Sequence, residues 1–414
     1  MTAFDRIEPQ LPQLMDELAP SPLPDYFDDL LRQSARTRQR PAWSAFERWL
    51  PMGVIARTAP IRQVPWRPIV VVALVTLLAA AALVFVAGSR TPRLPAPFGL
   101  AGNGVIATSV NGDVATVDPV TGKTTVIIAG PPDDTDPVFM NLGDRILFTR
   151  SVSGTQPALF MANADGSGAR QVLGADTPIR WIDWTGTGDR LLYTNAADGA
   201  TAILDVATGV KTKVDVGKEI SSAGWRPGHD EFVFFSTTGL PGYYLATGNG
   251  SGVRPIAFPD GAGDQWQPSP DGSKLVYIQS ALDPVPQARL HTIDIDTGQD
   301  RLLTPVGDGY DWQGPQFSPD GTRILAERYD TARAQYHLAL VPVDGSGPVV
   351  EIGPAHATGT NGASAVFSPD GTKVLVFYKD DGSSWMLDVT GGSGRRLDWS
   401  YTAGPAWQRI ATAP

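Results

Sequence analysis

Phe317-Ser318-Pro319-Asp320-Gly321, running on into Thr322-Arg323-Ile324-Leu325-Ala326, is the stretch whose reading decides the fold. An apolar segment ends at the aromatic. Pro then fixes φ, Asp-Gly completes a tight turn because Gly tolerates φ > 0, and a β-rich, alternating strand follows. The stretch is therefore one hairpin. It returns as Phe367-Ser368-Pro369-Asp370-Gly371 and, with Pro in place of the aromatic, as Pro268-Ser269-Pro270-Asp271-Gly272. Copies at a long period are the signature of a repeat architecture.

Weaker copies keep the aromatic and the turn. Trp184 opens WTGTGDRLLY, Trp225 opens WRPGHDEFVF and Phe139 opens FMNLGDRILF, while a truncated copy ends the chain around Trp407. The anchors at 139, 184, 225, 268, 317, 367 and 407 are separated by 40 to 50 residues, which is the length of a four-stranded propeller blade. A second, Gly-rich turn recurs inside each interval: Asp165-Gly166, Gly209, Gly248 to Gly252, Thr297-Gly298, Asp344-Gly345 and Gly391-Gly392. Each unit thus reads strand, SPDG-like turn, strand, link, strand, Gly turn, strand.

These motifs resemble the TolB-type propeller repeat, a relative of the WD-repeat blade, over roughly residues 100–410. The reading predicts an all-β, seven-bladed β-propeller. Three strands precede the first anchor (residues 105–110, 113–117 and 124–128), and one orphan strand surrounds Trp407. Pairing them completes the first blade with the carboxy-terminal strand and removes two open sheet edges. A six-bladed ring with an irregular amino-terminal strand set is the alternative within this architecture. A β-sandwich is the alternative outside it, but sandwiches do not repeat a blade-length period.

Upstream of the propeller the pattern changes. Residues 1–67 hold three short amphipathic helix candidates, at 11–18, 26–31 and 42–50; the last puts Trp43, Phe46, Trp49 and Leu50 on one face. That face either packs on the other helices, lies on a membrane surface or binds a partner. Residues 69–87 are apolar except for Thr76, about 28 Å of helix and enough to cross a bilayer core. Residues 68–88 are therefore expected to form one transmembrane helix; a cleavable signal peptide fits less well behind 67 preceding residues. Seven Arg between 36 and 67 precede the span and only Arg90 and Arg93 follow closely. Positive charge stays inside, so the amino terminus is expected in the cytoplasm and the propeller outside the cell membrane. Residues 89–101 form a Pro-rich linker, expected to be extended, and 102–414 the propeller.

Composition excludes several classes. The 414 residues contain no Cys, so disulfides, thiolate metal sites and cysteine nucleophiles are absent. The net charge is −10, with the acidic excess lying beyond residue 93, which argues against nucleic acid as a partner. No Gly-x-Ser-x-Gly elbow, Walker loop or His-Glu-x-x-His is present, and His229, His291, His337 and His356 fall in different units without ligand spacing. The Asp of each SPDG turn is expected to cap its own turn rather than to bind metal. Prolyl oligopeptidases carry similar propellers attached to a hydrolase domain, for which this chain leaves no room. The chain is therefore expected not to be an enzyme, and no cofactor or metal is expected.

A binding site is expected where the innermost strands meet the channel. The residues just before the anchors are polar and aromatic: Asp136, Arg180, Trp181, Asp183, Asp264, Gln265, Trp266, Asp311, Trp312, Gln313, Asn361 and Tyr401. Such a set suits a ligand or peptide pocket; equally, exposed loops are polar and Trp residues pack between blades. The layout of small helical domain, single span and outer sensor is similar to single-span anti-sigma regulators. The zinc-containing type of that family needs His-x-x-x-Cys-x-x-Cys, so the resemblance implies only a zinc-free version, with residues 1–67 contacting a cytoplasmic regulator. Three functions compete: an extracytoplasmic binding or sensing protein for a ligand, peptide or protein partner, a passive envelope scaffold, and an enzyme with its site in the channel.

Overall fold

The computed structural model describes residues 94–412 except 152–155, 258–259, 282–286, 358–362, 380, 393 and 400–405, together with residues 71–72 and 74–76. Two compact units are distinguished, residues 1–90 and 91–414.

In the second unit the described residues form 28 strands in seven four-stranded antiparallel sheets. The chain is a seven-bladed β-propeller. Blades 2 to 7 each run outward in chain order from an inner strand: Asp134–Phe139, Ile179–Trp184, Ser222–Trp225, Ala262–Pro268, Tyr310–Phe317 and Ala363–Phe367. Blade 1 differs. Its inner strand is Ala406–Ile410, from the far end of the sequence, paired antiparallel with Gly102–Val110; Asp113–Val117 and Thr124–Ile128 complete it. The register sets Ile106 opposite Trp407 and Ala107 opposite Ala406, with a bulge between Asn103 and Ile106. The seven-blade reading and the closure by the carboxy-terminal strand are both met.

What holds the ring is stacking of sheet on sheet. Among the described residues seven apolar clusters occur, one in each space between neighbouring blades. Phe232 and Phe234 of blade 4 pack toward blade 3 with Leu192 and Ile203, whereas Val233 and Phe235 pack toward blade 5 with Leu275 and Tyr277. Both faces of the second strand are therefore buried. Such strands read as continuous apolar runs rather than as alternation, as in the consecutive buried residues Ile324, Leu325 and Ala326. Each fully buried side chain of this size contributes about 1.5–3 kcal/mol.

The SPDG turn is built as the sequence implies. Ser269 Oγ donates to Asp271 Oδ1 at 2.5 Å, the Ser273 N–H donates to the same oxygen at 3.0 Å, and the Lys274 N–H donates to Ser269 Oγ at 2.9 Å. Ser318–Asp320 and Ser368–Asp370 repeat this pattern. Burial alone would raise the Asp271, Asp320 and Asp370 carboxyls, but the hydroxyl and N–H donors bring them below their ordinary value.

The described part of the linker packs on the propeller instead of standing clear of it. Pro95 is buried, the Ala101 N–H donates to Pro369 O at 2.9 Å, and Arg409 Nη2 donates to Ala96 O at 3.0 Å. The Phe98 ring lies against Gly186, where a Cβ would meet it at 2.6 Å. Leu94 and Leu100 remain exposed.

In the first unit, residues 71–72 and 74–76 are helical, with Val71, Val72, Leu74 and Val75 exposed and Thr76 Oγ1 donating to Val72 O at 2.5 Å. Among the described residues no helix is long and apolar enough to cross a membrane. The three helix candidates of residues 1–67 and most of the expected span lie outside the described residues.

Candidate functional site

Five of the seven anchors, Trp184, Trp225, Pro268, Phe317 and Phe367, meet at one cavity. A cavity of about 480 Å³ opens where the inner strands end, with aromatic walls from Trp184, Trp225, Trp266, Phe317 and Phe367. Pro97 and Phe98 of the linker also line it. The volume falls within the range of small-molecule sites, about 300–1,000 Å³. Trp266 is fixed by donating from Nε1 to Ser222 Oγ at 2.8 Å and by an edge contact with Tyr243, ring centroids 6.1 Å apart.

Polar groups in the wall come from the positions immediately before the anchors. Asp183 Oδ2 accepts the Trp225 N–H at 2.6 Å, and Gln267 Oε1 accepts the Phe317 N–H at 2.7 Å. Burial pushes the Asp183 carboxyl up to about 6, against the lowering effect of the Trp225 and Trp184 N–H groups. Arg409 enters from the closing strand. Its Nε donates to Asn141 O at 3.1 Å, and burial pulls its guanidinium below the ordinary arginine value.

Of the residues expected at the site from sequence, Asp183 and Trp266 line this cavity. Asp136, Arg180, Gln265, Asp311, Trp312 and Gln313 do not join them there. Asp136 is exposed at φ 52°, with its carboxylate accepting from Thr135 Oγ1 and Thr149 Oγ1, and Arg180 is exposed. Gln265 Oε1 accepts the Gly314 N–H at 2.9 Å, a bond between blades 5 and 6. Asp311 Oδ1 accepts the Ala288 N–H at 2.9 Å. Trp312 is 1% exposed in the core between blades 5 and 6. Trp181 and Asp264 stand in the inner strands of blades 3 and 5. Asn361 and Tyr401 lie outside the described residues. The reading missed Arg409, Gln267 and Gln316, which also line the cavity. For Gln267 and Gln316 the signal was available: each stands just before an anchor, at the period already counted.

Gln313 belongs to a second, closed polar cluster between blades 6 and 7. It donates from Nε2 to Glu327 Oε2 at 2.5 Å, and His356 Nε2 lies 2.6 Å from Glu327 Oε1. Tyr336 stacks on His356 and Tyr378 packs on its other side. Glu327 and His356 are each 7% exposed, so the pair is largely buried. The other histidines are spread among separate partners: His229 meets Pro227 O, His291 meets Asp300 and His337 lies near Glu351. Among the described residues no group of three or more His, Asp or Glu is placed to hold a metal.

No known protein family matches the chain in sequence, and no curated protein does. Solved structures do match. TolB from Acinetobacter baumannii is 16% identical with a TM-score of 0.44, covering 75% of this chain and 68% of that one. An oligogalacturonate lyase in complex with manganese is 15% identical with a TM-score of 0.50, covering 66% of this chain and 81% of that one. A prolyl endopeptidase is 10% identical with a TM-score of 0.53, covering 77% of this chain and 52% of that one. At these identities the likeness is one of fold. It nevertheless overturns one expectation. Solved enzymes stand among the structures that share this fold, so the propeller gives no ground for holding that the chain is not an enzyme. TolB-type propellers, which the SPDG turns resemble, stand among the solved structures that match.

Proposed function

We propose that this chain is a single-pass membrane protein whose extracytoplasmic propeller binds a ligand, peptide or protein partner in the channel cavity. Residues 1–67 would then stand in the cytoplasm and hand the event to a regulator, in the manner of a zinc-free anti-sigma protein. The observation that carries the binding reading is the cavity of about 480 Å³, walled by six aromatic side chains with Asp183 and Arg409 beside them. The apolar residues 69–87 and the Arg-rich segment before them support the placement.

The absence of Cys makes the placement simple to test. Single Ala3→Cys and Ala197→Cys variants are treated in intact cells with a membrane-impermeant maleimide. The reading expects labelling at position 197 before lysis and at position 3 only after it; the reverse pattern overturns it. Co-purification of a sigma factor with the full chain, lost when residues 1–67 are removed, is the result expected for signalling. A full chain that brings down no such regulator removes that part of the proposal.

A further inference from the structure

Among the described residues that line the channel cavity, only Asp183 and Arg409 carry ionisable side chains, and they are opposite in sign. They come from blades 3 and 1, and neither neutralises the other. The raised proton affinity of Asp183 stems from burial opposed only by two backbone N–H groups, and the shift of Arg409 stems from burial alone. Arg409 is held in place by two neutral carbonyls, Asn141 O and Ala96 O, and no carboxylate among the described residues pairs with it. Asp183 is fixed by the Trp225 N–H. The cavity therefore presents one positioned cation and one positioned carboxyl, not paired with one another, in a wall that also carries indole and phenyl surface. A charge partly withdrawn from water and left without a counter-ion is unfavourable, and a charge-assisted bond to a complementary group relieves it.

We propose that this cavity binds a small zwitterion with an apolar body, its carboxylate against Arg409 and its ammonium against Asp183. This rests on the reading of the channel cavity as the binding site. Two further points favour a zwitterion over a simple ion. The chain carries a net charge of −10, which repels an anion at long range but not a molecule without net charge. A cation alone would leave Arg409 without a partner.

The test uses the full chain in detergent micelles and three probes: L-alanyl-L-phenylalanine, its N-acetyl form and its C-terminal amide. Calorimetry is run on the wild type, Asp183→Asn and Arg409→Gln, with thermal melts to confirm that each variant is folded. The dipeptide is expected to bind the wild type. Acetylation is expected to weaken binding about tenfold or more in the wild type but not in Asp183→Asn, and amidation likewise in the wild type but not in Arg409→Gln. If all three probes bind alike and shift the indole N–H resonances of Trp184, Trp225 and Trp266, the cavity is the site but the charges do not choose its ligand, and the inference is overturned. Binding by none of the probes at about 10 mM also overturns it, while the labelling and co-purification results decide the broader reading separately.

Discussion

Asp183 and Trp225 are joined across a blade boundary: the carboxylate that precedes one anchor accepts the backbone N–H of the next, at 2.6 Å. Gln267 does the same for Phe317 two blades further on, at 2.7 Å. Between them stands Gly224, with no side chain to offer, and the anchor it would serve is Pro268, which has no N–H to donate. Position and partner therefore match at three successive boundaries. At Asp183 and Gln267 the pre-anchor residue is an inter-blade latch, and both also line the cavity.

The Asp183 latch carries a pH signature. Its folded carboxyl is raised from 3.8 to about 6, so the fold prefers the protonated form. That contribution is fully present below the unfolded value and is lost as pH rises through about 6. Asp183→Asn keeps an oxygen for Trp225, as Gln267 does for Phe317, and removes the titration. Its stability relative to the wild type is expected to improve by about 2 kcal/mol between pH 4.5 and 7.5. Urea unfolding at the two pH values measures this; a difference that does not change with pH refutes the buried-carboxyl account.

Closure of the ring makes a second prediction. Trp407 is 8% exposed, packs with Ile106, Leu375 and Leu397, and donates from Nε1 to Gly104 O at 3.1 Å. Gln408 beside it donates to Gly143 O at 2.9 Å. Trp407→Ala is expected to cost about 3–5 kcal/mol and to raise amide exchange first in residues 102–110, whose strand loses its inner neighbour. Uniform loss of protection around the ring would show that the closing strand is not the weak point.

Much of this was legible in the sequence because the blade repeats. Phe317, Phe367 and the SPDG turns set the register, and the unpaired strands at the two ends called for each other. The site was less legible. Polarity before an anchor marks both exposed rims, as at Asp136 and Arg180, and latches such as Gln265, which bonds the Gly314 N–H. Trp312 has the same local sequence character as Trp266, yet one is a blade core and the other a cavity wall. That difference depends on which way a bulged inner strand turns its side chains: the registers shift between Gln313 and Gln316 and between Ala262 and Trp266. Arg409 became visible only once the last strand was seated in blade 1.

Two arginine links between blades are expected to differ in worth. Arg226 is 4% exposed; it bonds Asp296 at 2.7 Å, Glu231 at 2.9 Å and Gly272 O at 2.8 Å. Arg190 pairs with Asp230, whose side chain is 73% exposed, at 2.6 Å. Arg226→Ala removes a buried guanidinium and leaves the carbonyl of buried Gly272 without its donor, and is expected to cost about 1–3 kcal/mol. Asp230→Ala is expected to cost less than about 1 kcal/mol and to lose even that in high salt. Chemical denaturation of both variants at low and high salt checks the ranking, and equal costs would count against it.

The sharpest separation lies within the repeat itself. Gly272 and Gly321 end identical Ser-Pro-Asp-Gly turns and share φ of +70°. An alanine at either must adopt a left-handed conformation, which costs about 1–2 kcal/mol. Their surroundings differ. A Cβ on Gly321 would find only Pro270 Cδ at 3.8 Å, whereas a Cβ on Gly272 would fall 2.2 Å from Pro227 O, a backbone atom of the preceding blade's turn. That carbonyl belongs to the residue after Arg226, whose Nε donates to Gly272 O at 2.8 Å, so moving it strains the same contact. Gly321→Ala is therefore expected to lower stability by about 1–2 kcal/mol, and Gly272→Ala by about 3 kcal/mol or more. Melting of the two variants side by side measures the gap. If they fall together, adjacent turns do not press on one another as described, and the ring is held by its apolar interfaces without help from its rim.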